Sequence, residues 1–329
     1  MVRILEAIYE ADFLDCSHGF RPECSCHQAI AAVDRAIMTK PVNHVVDADI
    51  KGFFDNVTHE WMMKFLEVRI KDPSFLLLVR RFLKAGYMEA GKIVKPEQGT
   101  PQGGNLSPIL SNVYLHYVLD LWFEKRLKRQ VEGRCYLVRY CDDFLCLVQK
   151  TEGARHVKQA LEERFAKFDL EIHPEKTRVI SFGRYERENA NRQKRRANTF
   201  DFLGFTHYCG KSRKGNFIVG RTTSRKEFRK KCKELNVWLK ATRNATKTRQ
   251  WWPILAAKLR GHYQYYGVSG NGASLRRFNT VAMRLTFKWL NRRSQRKAFN
   301  WSNFNAYLRH YPLPKPRVMH NLYTLLPGS

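Results

Sequence analysis

The sequence lacks any apolar run long enough to cross a membrane, and its N-terminus lacks the pattern of a signal peptide. Acidic residues are also scarce, because 30 Asp and Glu stand against 59 Lys and Arg, which gives a formal net charge of +29. A charge of this size repels itself and therefore indicates a polyanionic partner. These absences predict a protein that works in the cytoplasm, without a membrane partner and in association with nucleic acid.

Cysteine is sparse and scattered, with eight residues among 329. The densest group, Cys24-Ser-Cys-His27, has the wrong spacing for a zinc knuckle, and no second Cys/His pair follows at the usual distance. We therefore expect no zinc site, and we expect the cysteines to be the reduced thiols of a cytoplasmic protein.

The sequence does contain enough apolar material for a core, together with basic runs that have aromatic neighbours. Hydrophobic residues make up 43%, which excludes a disordered chain, and the length predicts one large domain or two. Basic runs crowd the second half, at residues 192–196, 225–231 and 292–297, with aromatic residues such as Trp251 and Trp252 interleaved. This mixture suits phosphate contacts combined with base stacking, and a purely solubilising basic surface is the poorer interpretation.

Two adjacent acids, Asp142 and Asp143, interrupt the apolar run Cys135–Val148. Apolar and β-branched residues on both sides predict a tight β-hairpin with the two carboxylates at its turn. Adjacent carboxylates repel each other, and they become favourable when a divalent cation lies between them. Taken alone, the stretch is explained equally well by a solvated Asp-Asp turn.

A second acidic stretch, Val45–Asp55, lies upstream and is typical of a β-strand that ends in acids. Two strands that each deliver carboxylates to one edge of a sheet build an oxygen-ligand site for two Mg²⁺ ions, which clamp the attacking and leaving oxygens of a phosphoryl transfer. Between the two stretches lies Gln98–Pro108, a turn rich in Gly and Pro that opens into a helix. Its glycines indicate a close approach of the backbone to a ligand at the helix N-terminus.

In this order, the three stretches resemble the palm of a reverse transcriptase, in particular that of the enzymes encoded inside bacterial group II introns. The resemblance extends over about residues 4–325. It implies an α+β fold in which a right-hand-like palm, an antiparallel sheet backed by helices, is followed by a helical thumb. We predict the palm, with a remnant of the fingers, at residues 1–208 and the basic helical thumb, or maturase domain X, at residues 209–329.

Periodic apolar positions predict the helices around these motifs. The predicted helices are two from His59 to Ala85 with a break at Pro73, one from about Ser107 to Leu127, and three in the thumb near 224–242, 250–266 and 272–293.

The resemblance implies that Asp49, Asp142 and Asp143 are the catalytic residues and that they hold two Mg²⁺ ions. The 3′-hydroxyl of a primer would then attack the α-phosphate of a deoxynucleotide, and pyrophosphate would leave. Asp47 and Asp55 are expected to be structural or capping acids.

The resemblance also assigns four nucleotide-binding residues. Phe54 lies five residues after Asp49, where its ring would wall the sugar pocket and exclude a 2′-hydroxyl; the alternative is an ordinary core phenylalanine. Gln102 and Gly103 are expected to contact the nucleotide and the template. Lys176 matches a lysine near the nucleotide phosphates, a charge stabiliser or proton donor, and the alternative is a solvated surface lysine.

Three further residues are assigned to the template and the primer. Arg21 lies in a Gly-Phe-Arg-Pro run and is expected to contact a template phosphate, with a structural ion pair as an equal alternative. The stretch Phe200–Thr206 matches the strand that grips the primer end, with Leu203 and Gly204 at the grip. Gly204 would let the primer backbone come close.

Two departures from the family pattern change what is expected. Cys141 stands where the family usually has Ala, and its small side chain is expected to be tolerated beside the primer end. The N-terminal fingers blocks are missing, and Met1 falls in what resembles the last helix of that region. We therefore expect a truncated or mis-started reading frame in which nucleotide binding is weakened.

The leading hypothesis is an RNA-directed DNA polymerase of group II intron type in the bacterial cytoplasm. Its partners would be an RNA template, a DNA primer, deoxynucleoside triphosphates and intron RNA. The alternative is an RNA-binding splicing maturase whose polymerase activity is weak or absent because the fingers are missing. A reverse transcriptase domesticated by its host, for example in phage defence, is a third hypothesis. The oligomeric state stays open, with a homodimer among the alternatives.

Overall fold

The structure, a computed structural model, describes residues 1–85, 87–89, 92–94, 99, 104–293 and 299–323. Helices and strands are interspersed up to β9 and only helices follow it among the described residues, and the described strand pairings are antiparallel, so the predicted α+β class is confirmed. The strands are β1 His44–Ala48, β2 Tyr87–Glu89, β3 Lys92–Val94, β4 Cys135–Tyr140, β5 Asp143–Val148, β6 Arg178–Ser181, β7 Thr199–Phe202, β8 Phe205–Lys211 and β9 Phe217–Thr223. The helices are α1 Val2–Tyr9, α2 Cys26–Thr39, α3 Phe53–Asn56, α4 His59–Arg69, α5 Pro73–Lys84, α6 Ser107–Leu115, α7 Lys128–Gln130, α8 Thr151–Ala166, α9 Glu186–Arg192, α10 Arg225–Ala245, α11 Thr248–Tyr266, α12 Gly272–Asn291 and α13 Trp301–His310.

Four strands form the main sheet in the order β4-β5-β1-β6. Strand β5 lies between β4 and β1, and its residues from Phe144 to Val148 are all buried. Such a continuous apolar run is typical of a strand that is covered on both faces. Because β1 is antiparallel to β5, the end of β1 lies beside the turn that joins β4 to β5.

Helices α4, α5, α6 and α8 contribute many of the apolar side chains in the core that includes this sheet. Phe65 packs edge-on against Tyr114, with ring centroids 5.3 Å apart, and lies parallel to Tyr117 at 5.0 Å. The fully buried Tyr114 hydroxyl donates to the carbonyl of Phe168 at 3.1 Å, which satisfies its polar end. These rings fix the helices to one side of the palm.

The predicted helix near Ser107–Leu127 is confirmed, but it is not a regular α-helix. After α6 it continues through two π-helical segments, His116–Asp120 and Phe123–Leu127, to α7. A π-turn adds a residue to one helical turn and rotates the remainder of the helix about its axis, and such turns recur at functional sites. Here the first π segment ends at Asp120, whose carboxylate reaches the sheet.

The predicted break between the two helices of residues 59–85 is confirmed and has a clear local cause. Asp72 caps α5, because its side chain accepts from the backbone N–H of Ser74 at 2.8 Å. Pro73 occupies the first helical position, where a missing N–H costs nothing.

The prediction of a single strand across Phe200–Thr206 is wrong. Strand β7 ends at Phe202 and β8 begins at Phe205, and both intervening residues have positive φ, 48° at Leu203 and 78° at Gly204. Two consecutive left-handed residues make the tight turn of a hairpin. Strands β7, β8 and β9 form a separate three-stranded sheet in that order.

Contacts divide the chain into two units, and each is described by itself. Among the described residues, the first contains Met1–Leu203 and Tyr208–Val219, and the second contains Gly204–His207 and residues 220–323. The predicted functional boundary between residues 208 and 209 stays a prediction.

The second unit is mainly helical, and the three predicted thumb helices are confirmed as α10, α11 and α12. Ser224 caps α10 by accepting from the N–H of Glu227, and α10 packs along α12. Helix α13 was not predicted from the sequence; it is fixed by Phe304, which is fully buried. Among the described helices, none is long and apolar enough to cross a membrane.

Candidate active site

The turn between β4 and β5 carries two of the predicted catalytic acids. Tyr140 pairs with Asp143 across the hairpin, so only Cys141 and Asp142 remain in the turn. Cys141 has a φ of 58°, in the left-handed region that a side chain rarely adopts, and is 4% exposed. The predicted tight hairpin with its acids at the turn is therefore present, with backbone strain immediately before them.

The third predicted acid, Asp49, lies at the same edge of the sheet. Ala48 at the end of β1 pairs with Phe144, so the next residue outward on each chain is an acid, Asp49 on one and Asp143 on the other. The carbonyl of Asp49 accepts from the backbone N–H of His173 at 2.8 Å, which extends the pairing past β1 and fixes the strand end. The fold thus brings together two acids that are far apart in sequence.

The acids at this edge perturb one another. Removal from water, followed by the charges of Asp142 and Asp49, raises the pKa of Asp143 to about 6. Asp143 keeps an exposed surface, so a cation can reach its carboxylate. A bound cation would relieve the part of the pKa shift that comes from repulsion by the neighbouring acids.

Asp47 belongs to the same cluster, although its sequence position indicated only a structural acid. It lies two residues before Asp49 on β1, so both side chains are on one face of the strand. Burial, followed by the charges of Asp143, Asp201 and Asp49, raises the pKa of Asp47 to about 7. The site is therefore more acidic than the three predicted residues alone would make it.

Lys176 provides the positive charge nearest to Asp49. Its Nζ lies 2.6 Å from Asp49 Oδ2, and the two side chains are 61% and 36% exposed. Within the ranges that the structure describes, no group of three or more His, Cys, Asp or Glu side chains is already arranged to hold a metal ion. In this state Lys176 neutralises Asp49 directly, and its predicted contact with nucleotide phosphates stays a prediction.

A buried ion pair supports the hairpin turn from behind, and sequence reasoning missed it. Arg139 is completely buried and makes two bonds to Asp120, Nε to Oδ1 at 2.8 Å and Nη2 to Oδ2 at 2.5 Å. Its Nη1 donates to the Cys141 carbonyl and to Asn112 Oδ1, both at 3.0 Å. Arg139 therefore connects the helix that carries Asp120 to the backbone that carries Asp142.

Gly19 packs against the same turn and leaves no room for a side chain. A Cβ on Gly19 would lie 2.3 Å from the backbone nitrogen of Cys141, a distance at which the backbone must move. Asn112 Nδ2 donates to the Gly19 carbonyl at 2.6 Å, so the glycine belongs to the Arg139 network. Two features of the sequence could have indicated this network: the Gly in the Gly-Phe-Arg-Pro run and an arginine within an apolar strand.

Arg21 is engaged in the ion pair that stood as the alternative to template binding. Its Nε and Nη2 both donate to Glu10 Oε2, at 3.0 and 2.9 Å, and its Nη1 donates to the carbonyls of Leu14 and Ser17. The side chain is 12% exposed. The geometry favours the structural role, because the guanidinium already binds protein acceptors on every nitrogen.

The predicted nucleotide-binding residues are only partly described. Phe54 is half-buried and packs against the core, with its ring centroid 5.4 Å from that of Phe53, so its role as a sugar gate stays a prediction. Gln102 and Gly103 lie outside the described residues. Gly99, which is described, has a φ of 93° and lies so close to Phe54 that a Cβ would be 2.8 Å from the Phe54 carbonyl oxygen. The close approach that Gly99 permits is therefore between two parts of this chain.

Leu203 and Gly204, the predicted primer-grip residues, form the turn of a hairpin and not a continuous strand. A Cβ on Gly204 would lie 3.3 Å from the hydroxyl of Tyr266, so the open side of this glycine faces a tyrosine. The predicted reason for the glycine, close approach of a primer backbone, is therefore replaced by packing inside the second unit. A primer contact of this turn stays a prediction.

The sequence pattern of the family described as "Reverse transcriptase (RNA-dependent DNA polymerase)" matches residues 1–207. The match covers more than half of the chain, and the chain belongs to this family. It includes both acidic stretches and the hairpin turn described above.

Relatives of the chain include proteins encoded in introns. The group II intron-encoded protein LtrA of Lactococcus lactis subsp. cremoris is 38% identical over 177 residues, which is 54% of this chain and 29% of LtrA. A 91 kDa protein in the cob intron of Schizosaccharomyces pombe is 37% identical over 156 residues, 47% of this chain and 18% of that protein. The chain thus spans less than a third of the length of either relative.

Among solved structures, similarity is found to telomerase. The structure of telomerase from Candida tropicalis in complex with a fragment of telomeric RNA has 14% sequence identity and a TM-score of 0.48. The similarity covers 95% of this chain and 47% of that chain.

Proposed function

We propose that the chain is an RNA-directed DNA polymerase of the group II intron type, which extends a DNA primer on an RNA template. One observation carries the proposal: the end of β1 and the β4–β5 turn bring Asp49, Asp142 and Asp143 to one edge of the sheet, in a chain that belongs to the reverse transcriptase family. A two-metal nucleotidyl transfer needs several carboxylates close together to hold its metal ions, and adjoining strands can supply them.

The donor chemistry of this edge fits Mg²⁺. The ligands are carboxylate oxygens, which hard divalent cations prefer. Burial, followed by repulsion from Asp142 and Asp49, raises the pKa of Asp143, and a bound cation would offset the repulsion. We assign Asp49, Asp142 and Asp143 as ligands of two ions. When bound, the ions supply electrostatic stabilisation to the attacking and leaving oxygens of the phosphoryl transfer.

The chain's own residues would then orient the reactants. Arg139 fixes the carbonyl of Cys141 and with it the direction of the two turn carboxylates. Lys176 would exchange its bond to Asp49 for the phosphates of the incoming nucleotide, to which it supplies positive charge. Phe54 would exclude a ribose 2′-hydroxyl by steric clash, which selects deoxynucleoside triphosphates.

An exchange of Asp49 for Asn tests this assignment, with Asp55→Asn as the matched control from the same acidic stretch. Both changes keep the side-chain shape and remove one charge. We expect Asp49→Asn to lower the rate of Mg²⁺-dependent incorporation of a deoxynucleotide into a primer on RNA by about two to three orders of magnitude, as for loss of a charge-stabilising group. Asp55→Asn should retain most of the rate. Equal rates for the two variants would refute the assignment of Asp49.

A second function, intron RNA binding in the manner of a maturase, is favoured by the basic helices of the second unit. Helix α10 exposes Arg225, Lys226 and Arg229 in its first turns, and the whole chain carries a net charge of +29. This function does not need the acids. Asp142→Asn should therefore leave the dissociation constant for intron RNA unchanged while extension is lost, whereas a parallel loss of both would tie RNA binding to the hairpin.

A further inference from the structure

One aromatic residue beside the hairpin turn is held in an unusual conformation and left exposed. Phe20 has a φ of 52°, in the left-handed region, where a Cβ and an aromatic ring are disfavoured. Its side chain is nevertheless 51% exposed. Packing of a ring that is half exposed offsets little of this backbone strain, and strain of this kind is found at ligand-contacting sites.

Both neighbours of Phe20 are fixed, so the ring cannot turn inward by a local shift. On one side, Gly19 lies against Cys141 and its carbonyl accepts from Asn112 at 2.6 Å. On the other side, Arg21 is bound to Glu10 by its Nε and Nη2 atoms. Phe20 is the residue between these two anchors, and the anchors fix the backbone from which its ring projects.

The ring of Phe20 lies next to the acidic turn. Its centroid is 6.1 Å from that of Tyr140, with the two planes inclined at 39°. Tyr140 pairs with Asp143 and precedes Asp142 by two residues. The two rings therefore form one aromatic surface directly beside the carboxylates that we assign to the metal ions.

We propose that Phe20, together with Tyr140, is a contact surface for a nucleobase of the primer–template at the reacting end. The inference rests on the proposed function and transfers the substrate contact within the Gly-Phe-Arg-Pro run from Arg21, which is bound internally, to Phe20. A nucleobase suits the surface because every base has an apolar face that stacks on aromatic rings, and the chain's +29 charge retains the attached phosphates.

The test uses a primer–template with 2-aminopurine, whose fluorescence is quenched by stacking. The reporter is placed either at the primer 3′ end or at the templating position, and Asp142→Asn is added to prevent extension. We expect Phe20→Leu to weaken the quenching at one of the two positions and to raise the dissociation constant about fivefold or more, the usual effect of losing one stacking partner. Phe20→Trp should restore both signals. The position that responds identifies whether the base belongs to the primer or to the template.

Two controls separate the possible outcomes. Tyr185, another exposed aromatic of the first unit, is 59% exposed, and Tyr185→Leu should change neither signal. Phe20→Gly relieves the strain at φ 52°, so it should fold at least as stably as the wild type and still lose the stacking signal. If Phe20→Leu and Phe20→Gly both bind and quench like the wild type, the proposal is overturned.

A change confined to the elution volume in size-exclusion chromatography would also overturn the proposal, because Phe20 would then contact a second protein chain. Failure of the proposed function looks different. If the wild-type protein does not extend a primer but shows Phe20-dependent quenching, the base contact stands and the polymerase assignment falls.

Discussion

At the scale of single residues, the acidic edge holds one more ionisable carboxyl group than its sequence motifs indicate. Asp47 shares a strand face with Asp49, and its pKa of about 7 means that the carboxyl is partly protonated near neutral pH. Asp49 and Asp143 were predictable because the register of two short apolar strands fixes which residues come directly after them. The charge state of Asp47 was not predictable, because it depends on burial and on acids that are distant in sequence.

Replacing Asp47 by Asn should stabilise the metal-free protein at high pH. The folded pKa is raised, so the folded state binds this proton more tightly than the unfolded chain, whose carboxyl titrates near 3.8. The stabilisation is complete below that value and is lost as the pH rises to about 7. Relative to Asp47→Asn, the wild type should lose roughly 2–3 kcal/mol between pH 5 and pH 8 in EDTA. Urea denaturation across this range measures the difference.

Asp15→Asn is the matched control for this experiment, because Asp15 is an exposed acid of the same unit. It should follow the wild-type pH dependence. If the free energies of unfolding of the wild type and Asp47→Asn fall in parallel as the pH rises, the ionisation of Asp47 does not destabilise the folded state.

Lys176→Met should tighten the binding of a divalent cation to the protein without nucleotide. The lysine pairs with Asp49 at 2.6 Å and competes with the cation for that carboxylate. The pair is exposed, so its contribution is about 0.2–1 kcal/mol, which corresponds to at most about a fivefold gain in affinity. Titration of Mn²⁺ followed by electron paramagnetic resonance measures it. Weaker Mn²⁺ binding by Lys176→Met would contradict the competition, and Lys51→Met, which removes a pair with Glu171, serves as control.

At the scale of elements, the β4–β5 hairpin is held by a helix that is not a regular one. The π segment His116–Asp120 aims Asp120 at Arg139, and Arg139 binds the turn through the Cys141 carbonyl. The hairpin itself was predictable from the apolar and β-branched residues on both sides of its two acids. Its support was not, because the partner acid lies 19 residues away on a helix whose period is locally altered.

The buried pair gives a prediction that separates stability from positioning. Asp120→Asn leaves Arg139 with an uncompensated charge and should cost about 3–5 kcal/mol of unfolding free energy. The double variant Asp120→Leu with Arg139→Met replaces the pair by apolar side chains of similar volume and should recover most of that stability. Its extension rate should stay low, because the Cys141 carbonyl has lost its donor. Urea denaturation and the turnover rate are measured on the same preparations.

Recovery of both stability and turnover in the double variant would show that the pair does not orient the turn. Ser111→Ala is a control on the same helix, since the Ser111 hydroxyl donates to the carbonyl of Ser107 one turn earlier. It should leave turnover unchanged.

Other elements show where sequence patterns are insufficient. The start of α5 has strong local signals, a capping Asp and a proline at the first position. The turn at Leu203 was missed because leucine rarely has positive φ, and only Gly204 indicated a turn. Helix α13 comes after a stretch without regular periodicity, and it is fixed by the contact of Phe304 with Phe287 and Trp301.

At the scale of the whole molecule, the proposed association with RNA is governed by charge. The net charge of +29 predicts that the logarithm of the association constant falls linearly with the logarithm of salt concentration. Replacing Lys226, Arg229 and Lys233 of α10 by Gln should reduce the slope by about one for each phosphate contact that is lost. Fluorescence anisotropy with a structured RNA between low and moderate salt measures the slope.

A matched set of lysines tests whether position matters or only total charge. Lys64, Lys128 and Lys158 each pair with a glutamate four residues away in the first unit. Their replacement by Gln removes the same formal charge. If this set lowers the slope as much as the α10 set, RNA binding depends on overall charge and not on the basic helix.

The most direct test of the polymerase assignment is primer extension on an RNA template with Mg²⁺ and deoxynucleotides, using the chain as it stands and its Asp142→Asn variant. We predict incorporation by the wild type and none by the variant, with both proteins binding the primer–template equally well. Incorporation that persists in Asp142→Asn would contradict the assignment of the acidic turn as the catalytic centre. Tight RNA binding without incorporation by either protein would contradict the polymerase and leave the maturase function.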